Sequence, residues 1–161
     1  MFKKMEGRKV PEATFRTRVD HEWRELSSKD VFSGKNVIVF SLPGAFTPTC
    51  SSSHVPRFNQ LAPVFKAHGI DDIICMSVND AFVMGAWGEA QNVEGQVRMV
   101  ADGSAAFTKA VGLELDLTER GLGLRSERYA MIIDDGVVTA LHREAPGKFE
   151  VSSAEAMLAE L

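Results

Sequence analysis

The sequence predicts an α/β fold, with a central mixed β-sheet flanked by helices and an N-terminal β-hairpin. Three observations carry this. Val37-Ile38-Val39-Phe40 is apolar at successive positions, the pattern of a strand covered on both faces, with Ile73 to Val78 another apolar strand candidate and Tyr129 to Ile133 apolar throughout. Segments of helical spacing alternate with those runs. Asp134-Asp135-Gly136 sits between two apolar runs as a strong hairpin signal.

In chain order, Ala13 to Thr17 and Trp23 to Leu26 read as the N-terminal hairpin. Ser27 or Ser28 caps a short turn, Lys29 to Phe32, which Gly34 ends. After the strand Val37 to Phe40, apolar residues recur helically from about Thr47 to Ala67, at Val55, Phe58, Ala62 and Phe65. Pro56 and Pro63 are expected to distort or split that helix, and Gly69 to stop it. Ile73 to Val78 is the next strand. Ala81 to Gln91 is a helix with Phe82 and Trp87 facing inward. A strand, Val97 to Val100, and a helix, about Ser104 to Val111, follow. Leu113 to Glu127 has no clear period and reads as a long loop. Tyr129 to Ile133 and Val137 to Leu141 form a hairpin, and Ser152 or Ser153 caps a last helix running to Leu161. A thioredoxin-like sheet fits this order.

With 161 residues, 45% hydrophobic and 25% charged, the chain reads as one domain over 1–161 that needs no disulfide or metal to hold its core. A formal charge of −4 argues against a general binder of nucleic acid or anionic membranes. No apolar run approaches the roughly 18 residues of a membrane span. The opening MFKKMEGRKVP has basic residues with no apolar stretch behind them, so no secretory signal is expected. Two cysteines outside any C-x-x-C pair make a reducing cytoplasm the expected compartment.

The chemistry concentrates in Ser41-Leu42-Pro43-Gly44-Ala45-Phe46-Thr47-Pro48-Thr49-Cys50, which joins the central strand to the long helix. Cys50 falls in or near a first helical turn, where unpaired N–H groups and the helix dipole favour an anion. A free thiol of pKa about 8.5 is only ~3% thiolate at pH 7, whereas a shift to about 6 makes it ~90% thiolate, the nucleophilic form. A lone cysteine is commonly a small buried hydrophobe. The polar neighbours Thr47, Thr49, Ser51, Ser52 and Ser53 argue against burial here. Thr47, three residues before Cys50, shares its helical face and either donates to the sulfur or caps the helix. Pro43 either shapes the pocket over Cys50 or ends the strand. His54, four residues after Cys50, suits a Cys–His pair, although a helical histidine that packs or caps is the commoner case. Should Tyr129 to Ile133 pair antiparallel with Val37 to Phe40, Arg128 lies beside the Cys50 loop. A guanidinium there holds a thiolate ionised. Arg120 and Arg125 compete for that role.

Pro43-Gly44-Ala45-Phe46-Thr47-Pro48-Thr49-Cys50 closely resembles the active-site motif of peroxiredoxins. The flanks Ser51 to Phe58, Ser77 to Val83 and Arg125 to Val138 resemble the type II branch, which includes bacterial members fused to a glutaredoxin. The resemblance implies a thioredoxin-like fold and reduction of hydrogen peroxide and alkyl hydroperoxides. It makes Cys50 the peroxidatic cysteine, Thr47 and Pro43 pocket residues, and Arg128 the activating arginine. It implies no metal or organic cofactor, and the four His and two Cys show no ligand spacing. A homodimer is expected, with Phe46, Pro48 and the Leu113 to Leu124 segment as its contact.

Some type II members carry a resolving cysteine near the C-terminal end, but Phe149-Glu150-Val151-Ser152-Ser153 has none. Cys75 lies in Ile73-Ile74-Cys75-Met76 and reads as a packed core residue. The expectation is a one-cysteine cycle in which glutathione or glutaredoxin is the reducing co-substrate. Three rivals predict different behaviour. A thioredoxin-type thiol–disulfide oxidoreductase reduces insulin, a cysteine hydrolase using Cys50 and His54 forms an acyl intermediate, and a non-enzymatic adaptor or holdase keeps an inert thiol.

Overall fold

The computed structural model describes residues 6–161; residues 1–5, part of the stretch read for a secretory signal, lie outside the described residues. Strands β1 (Thr14–Val19) and β2 (Glu22–Ser27) pair antiparallel as the N-terminal hairpin. Ser27 then caps α1 (Ser28–Phe32). Its hydroxyl accepts from the Asp30 N–H, and the Asp30 carboxylate accepts from the Ser27 N–H, so two orphan donors are satisfied reciprocally.

The main sheet has five strands. They are β3 (Asn36–Leu42), β4 (Asp72–Ser77), β5 (Arg98–Ala101), β8 (Tyr129–Asp134) and β9 (Val137–Arg143), in the spatial order β5-β4-β3-β8-β9. β4 lies parallel to β3 and β5 parallel to β4, while β8 runs antiparallel to both β3 and β9. The sheet is therefore mixed, as expected. β3 is its centre because Val37 to Phe40 are fully buried and split between two cores. Ile38, Phe40 and Leu42 face one, and Val37 and Val39 face the other, as successive side chains of a strand must.

The first core is closed by α2 (Val55–Ala67), α3 (Ala81–Gln91) and α5 (Ala154–Leu158). Phe40 stacks on Phe58 at 4.1 Å between ring centroids, and Phe58 stacks on Phe65. The second core holds Phe15, Phe32 and Phe107, the last from α4 (Ala106–Ala110). At the β8–β9 turn, Asp135 and Gly136 both take positive φ, which suits Gly136 and closes the predicted hairpin.

Several expectations need correction. Phe82 does not face inward: it is 57% exposed and meets Trp23 edge-on, while Trp87 is fully buried. Phe82 precedes Trp87 by five residues, which turns a helix about 140° away from the same face. Leu113 to Glu127 is not a plain loop. β6 (Glu114–Leu117) and β7 (Gly123–Ser126) pair antiparallel across a 3₁₀ turn at Thr118–Arg120. Each strand is four residues long, too short for a period to stand out. The last helix ends at Leu158 and α4 starts at Ala106, both shorter than their spacing suggested. Among the described residues, no helix is long and apolar enough to cross a membrane.

α4 starts without a side-chain cap from its own Ala105. Asp102, 3% exposed, takes over that task. Its carboxylate accepts from the N–H groups of Phe107 and Thr108 and from the Thr108 hydroxyl. Asp102→Ala strands those donors, and urea denaturation is expected to show roughly 2–4 kcal/mol less stability. A loss below about 0.5 kcal/mol, the range of an ordinary surface change, contradicts this account.

Candidate active site

β3 delivers the loop Pro43 to Thr49 to the edge of the first core. Two bonds hold that loop. The Ala45 N–H donates to Asn79 Oδ1 just beyond β4, and Arg125 Nη1 donates to the Pro43 carbonyl at 3.3 Å. Gly44 permits the second contact, since a Cβ at that position stands 2.6 Å from Arg125 Nη1.

The long helix expected from about Thr47 runs from Pro48 to Ala67 and is distorted by one wide turn. Cys50–His54 form a π-turn, closed by the Val55 N–H donating to the Cys50 carbonyl, and the α-helix proper begins at Val55. Pro56 explains the position of the break. It has no N–H to return to the preceding turn, so the backbone widens there with little further loss. Pro63 stays within α2 without ending it. Thr47 directly precedes the first helical residue, Pro48, and its carbonyl accepts from the Ser51 N–H at 3.0 Å, but its hydroxyl turns to the Gly44 carbonyl and Cys50 Sγ instead of capping an N–H.

Cys50 is 1% exposed, against the expectation drawn from its polar neighbours. The turn sends Ser52 outward and Cys50 and His54 inward, toward Phe40 and Phe58. The sulfur nonetheless has two polar contacts. Thr47 Oγ1 donates to Cys50 Sγ at 2.9 Å and Arg128 Nη2 donates to it at 3.1 Å. The Thr47 hydroxyl has one hydrogen and also reaches the Gly44 carbonyl at 2.6 Å, so it serves one acceptor at a time.

Arg128 arrives by the route the sequence suggested. β8 pairs antiparallel with β3 with Tyr129 opposite Ser41, which sets the residue before Tyr129 at the end of β3. Its competitors go elsewhere: Arg125 binds the Leu122 and Pro43 carbonyls, and Arg120 is exposed. The guanidinium also packs against the Phe149 ring, 5.6 Å from its centroid. Glu127, next in sequence, is held bidentately by Arg143 at 3.0 and 2.7 Å.

His54 does not pair with Cys50. Its Nδ1 accepts from Arg128 Nη1 at 2.9 Å, and its Nε2 donates to the Ser152 carbonyl at 2.9 Å. An arginine only donates and a carbonyl only accepts, so the ring is neutral with its proton on Nε2. Burial, with the Arg128 charge beside it, holds this imidazole down at about 3, against an ordinary 6.5. The link to Arg128 was missed from sequence, because 74 residues separate the partners.

A cleft of about 130 Å³ opens at Arg128, lined by Pro43, Thr49, Arg128, Lys148 and Phe149 among others, and Cys50 is not part of its lining. Pro43 is therefore a wall residue, and Arg128 is shared between the cleft and Cys50. The arrangement offers a small polar molecule two hydrogen-bond donors converging on one sulfur. Cys75 does not line the cleft and is fully buried in β4 between Phe40 of β3 and Met99 of β5. Burial, then the nearby Cys50, push its thiol well above the ordinary value. Among the described residues, no group of three or more His, Cys, Asp or Glu is placed to hold a metal ion.

The neutral His54 fixes a pH dependence. Its folded value lies below its unfolded one, so between about 6.5 and 3 the unfolded chain binds one more proton than the native state. Stability is present above pH 6.5 and is lost as pH falls toward 3, by at most about 1.4 kcal/mol per pH unit from this group. His54→Gln keeps a donor and an acceptor but cannot be protonated. Urea midpoints between pH 6.5 and 4 are expected to fall less steeply in that variant, and parallel slopes contradict the assignment.

The chain resembles known proteins along nearly its whole length. A family model described as Redoxin matches residues 5–158. The chain is 51% identical over 157 residues to the hybrid peroxiredoxin hyPrx5 of Haemophilus influenzae, covering 96% of this chain but 65% of that relative's length. It is 47% identical to Peroxiredoxin-2B of Arabidopsis thaliana over 96% of both chains. The crystal structure of reduced Prx3 from Vibrio vulnificus in complex with H2O2 superposes with a TM-score of 0.92 at 54% identity, covering 96% of this chain and 97% of that one. With the sheet order above, such neighbours establish the thioredoxin-like fold. The chain belongs to the redoxin family and, within it, to the peroxiredoxins.

Proposed function

We propose that this chain is a thiol-dependent peroxidase in which Cys50 reduces hydrogen peroxide and alkyl hydroperoxides. The observation that carries the reading is the convergence of Thr47 Oγ1 and Arg128 Nη2 on Cys50 Sγ, with Arg128 also lining a small cleft. The Cys50 thiolate attacks the near oxygen of the peroxide in line with the O–O bond. A sulfur–oxygen bond forms, the O–O bond breaks, and the far oxygen leaves with a proton as water or alcohol. Sulfur is oxidised to a sulfenic acid and the peroxide takes the electron pair. Arg128 and Thr47 donate hydrogen bonds to the charge that builds on the oxygens, and Pro43 walls the pocket.

The cycle then closes with one cysteine. Glutathione displaces water from the sulfenic acid to give a mixed disulfide, and a second glutathione or a glutaredoxin thiol releases the Cys50 thiol as its own disulfide forms. Three points support this. Cys75 is fully buried in a strand. The sequence resembles type II members, some of which are fused to a glutaredoxin. A similar protein is named a hybrid peroxiredoxin. No cofactor besides the thiol co-substrate enters the scheme. We read residues 1–161 as one domain acting in the cytoplasm. A homodimer is supported by the exposure of Phe46 (56%) and Leu122 (37%) near the site.

Mass spectrometry after one equivalent of peroxide tests the cycle. It is expected to show sulfenylated Cys50, then a glutathione adduct on Cys50 when glutathione is added. Cys75→Ser should keep nearly full turnover with glutathione and glutaredoxin. A Cys50–Cys75 disulfide, or a large loss of turnover in folded Cys75→Ser, overturns the one-cysteine cycle. Thr47→Val removes one donor, and stopped-flow oxidation of Cys50 by H2O2 is expected to slow by about 10²–10³-fold. An unchanged rate excludes the hydroxyl from the reaction.

A further inference from the structure

Glu144 is a carboxylate at 4% exposure, just past the end of β9. Burying a charge is costly unless it is fully hydrogen-bonded. Here four groups donate to Oε2: the N–H groups of Glu150 (2.9 Å), Val151 (2.8 Å) and Ser152 (2.8 Å), and the Ser152 hydroxyl (2.7 Å). Oε1 accepts from the Glu150 N–H as well, at 3.0 Å. Burial works against the charge, but these bonds outweigh it and hold the carboxyl below its usual range.

The segment so gathered is not remote from the sulfur. The Ser152 carbonyl accepts from His54 Nε2, His54 Nδ1 accepts from Arg128 Nη1, and Arg128 Nη2 donates to Cys50 Sγ. The Glu144 N–H itself donates to the Arg128 carbonyl at 3.0 Å. The contacts therefore close a ring. It runs from the Arg128 backbone to Glu144, through its carboxylate to residues 150–152, across to His54, and back to the Arg128 guanidinium. Its side-chain links between the ends are buried, with Ser152 and His54 both 0% exposed and Glu144 at 4%, while Glu150 and Val151 contribute only their backbone N–H groups.

We propose that Glu144 is a positioning residue for Arg128. Its carboxylate fixes the Ser152 carbonyl, that carbonyl selects the His54 tautomer with a free Nδ1 lone pair, and that lone pair selects the Arg128 orientation which reaches Cys50. The proposal deepens the peroxidase reading and rests on it for its consequence in turnover, though not for its effect on the sulfur. A staple that merely held the C-terminal segment would need the four donors but not the His54 link.

The test uses Glu144→Gln, which keeps the side-chain shape and turns one acceptor oxygen into an amide donor. Two rates are measured on the full chain: Cys50 oxidation by H2O2, and Cys50 alkylation by iodoacetamide as a function of pH. In a variant with native circular dichroism, oxidation is expected to fall roughly 10- to 100-fold, the scale of a catalytic group misplaced by an ångström. The acid limb of the alkylation profile is expected to move to higher pH. In a His54→Phe background, where the link is already cut, the same substitution should cost at least threefold less. Additive losses, or an unchanged alkylation profile in folded Glu144→Gln, overturn the proposal. Should that variant fail to fold, Ser152→Ala, which removes one donor and leaves the backbone intact, decides by the same two rates: a loss in the same direction supports the proposal and no change overturns it. A wild-type chain that consumes no peroxide would overturn the peroxidase reading alone, since alkylation still reports the sulfur.

Discussion

The two-pronged contact of Arg128, with Nη2 on Cys50 Sγ and Nη1 on His54 Nδ1, is the interaction around which the rest of the site is arranged. A guanidinium is planar, permanently charged and forked, so one side chain spans two acceptors at a fixed angle. Lysine offers a single flexible point charge and cannot hold both. The requirement then passes outward. His54 must present a lone pair rather than a proton on Nδ1, and it does so because a carbonyl takes the proton of Nε2. Aromatic packing by Phe40, Phe58 and Phe149 keeps water away from that ring and so keeps it neutral.

The sheet supplies the geometry that makes the contact available. β3 is buried on both faces, which fixes its register and leaves its end as the launch point of the Pro43 to Cys50 loop. β8 runs back along it, so the residue before Tyr129 meets that loop. A one-residue slip of β8 would exchange the side chains it presents to the two cores and remove Arg128 from the sulfur. The two cores flanking the sheet thus determine reactivity as much as stability. The π-turn at Cys50–His54 adds the last adjustment, carrying both side chains inward on one wide turn.

What could be read early and what could not divides by the range of the interaction. The α/β order, the central strand, the β8–β9 turn and the thiol loop come from contacts within a few residues, and their signals are local: β-branched runs, Asp135-Gly136, a cysteine after a strand. The close resemblance of Pro43 to Cys50 to a known motif, with that of the flank Arg125 to Val138, sharpened these into Thr47, Pro43 and Arg128. Local signals also misled. Serines around Cys50 suggested exposure, but only Ser52 faces fully outward, the Ser51 hydroxyl accepts from the buried Trp87 N–H, and Cys50 turns into the core. Phe82 counted as core by its type, although helical angle sets it outside.

The amino-acid order by itself determined the fold class, the order of the five main-sheet strands along the chain and the thiol on which the chemistry centres, because hydrophobic period and turn chemistry act between neighbours. Only the tertiary structure decided that Cys50 is buried, that His54 serves Arg128 rather than the sulfur, and that Glu144 and Ser152 stand behind both. Those contacts join residues as far as 98 positions apart. Their direction follows from which groups donate and which accept once the sheet has brought them within about 3 Å of each other.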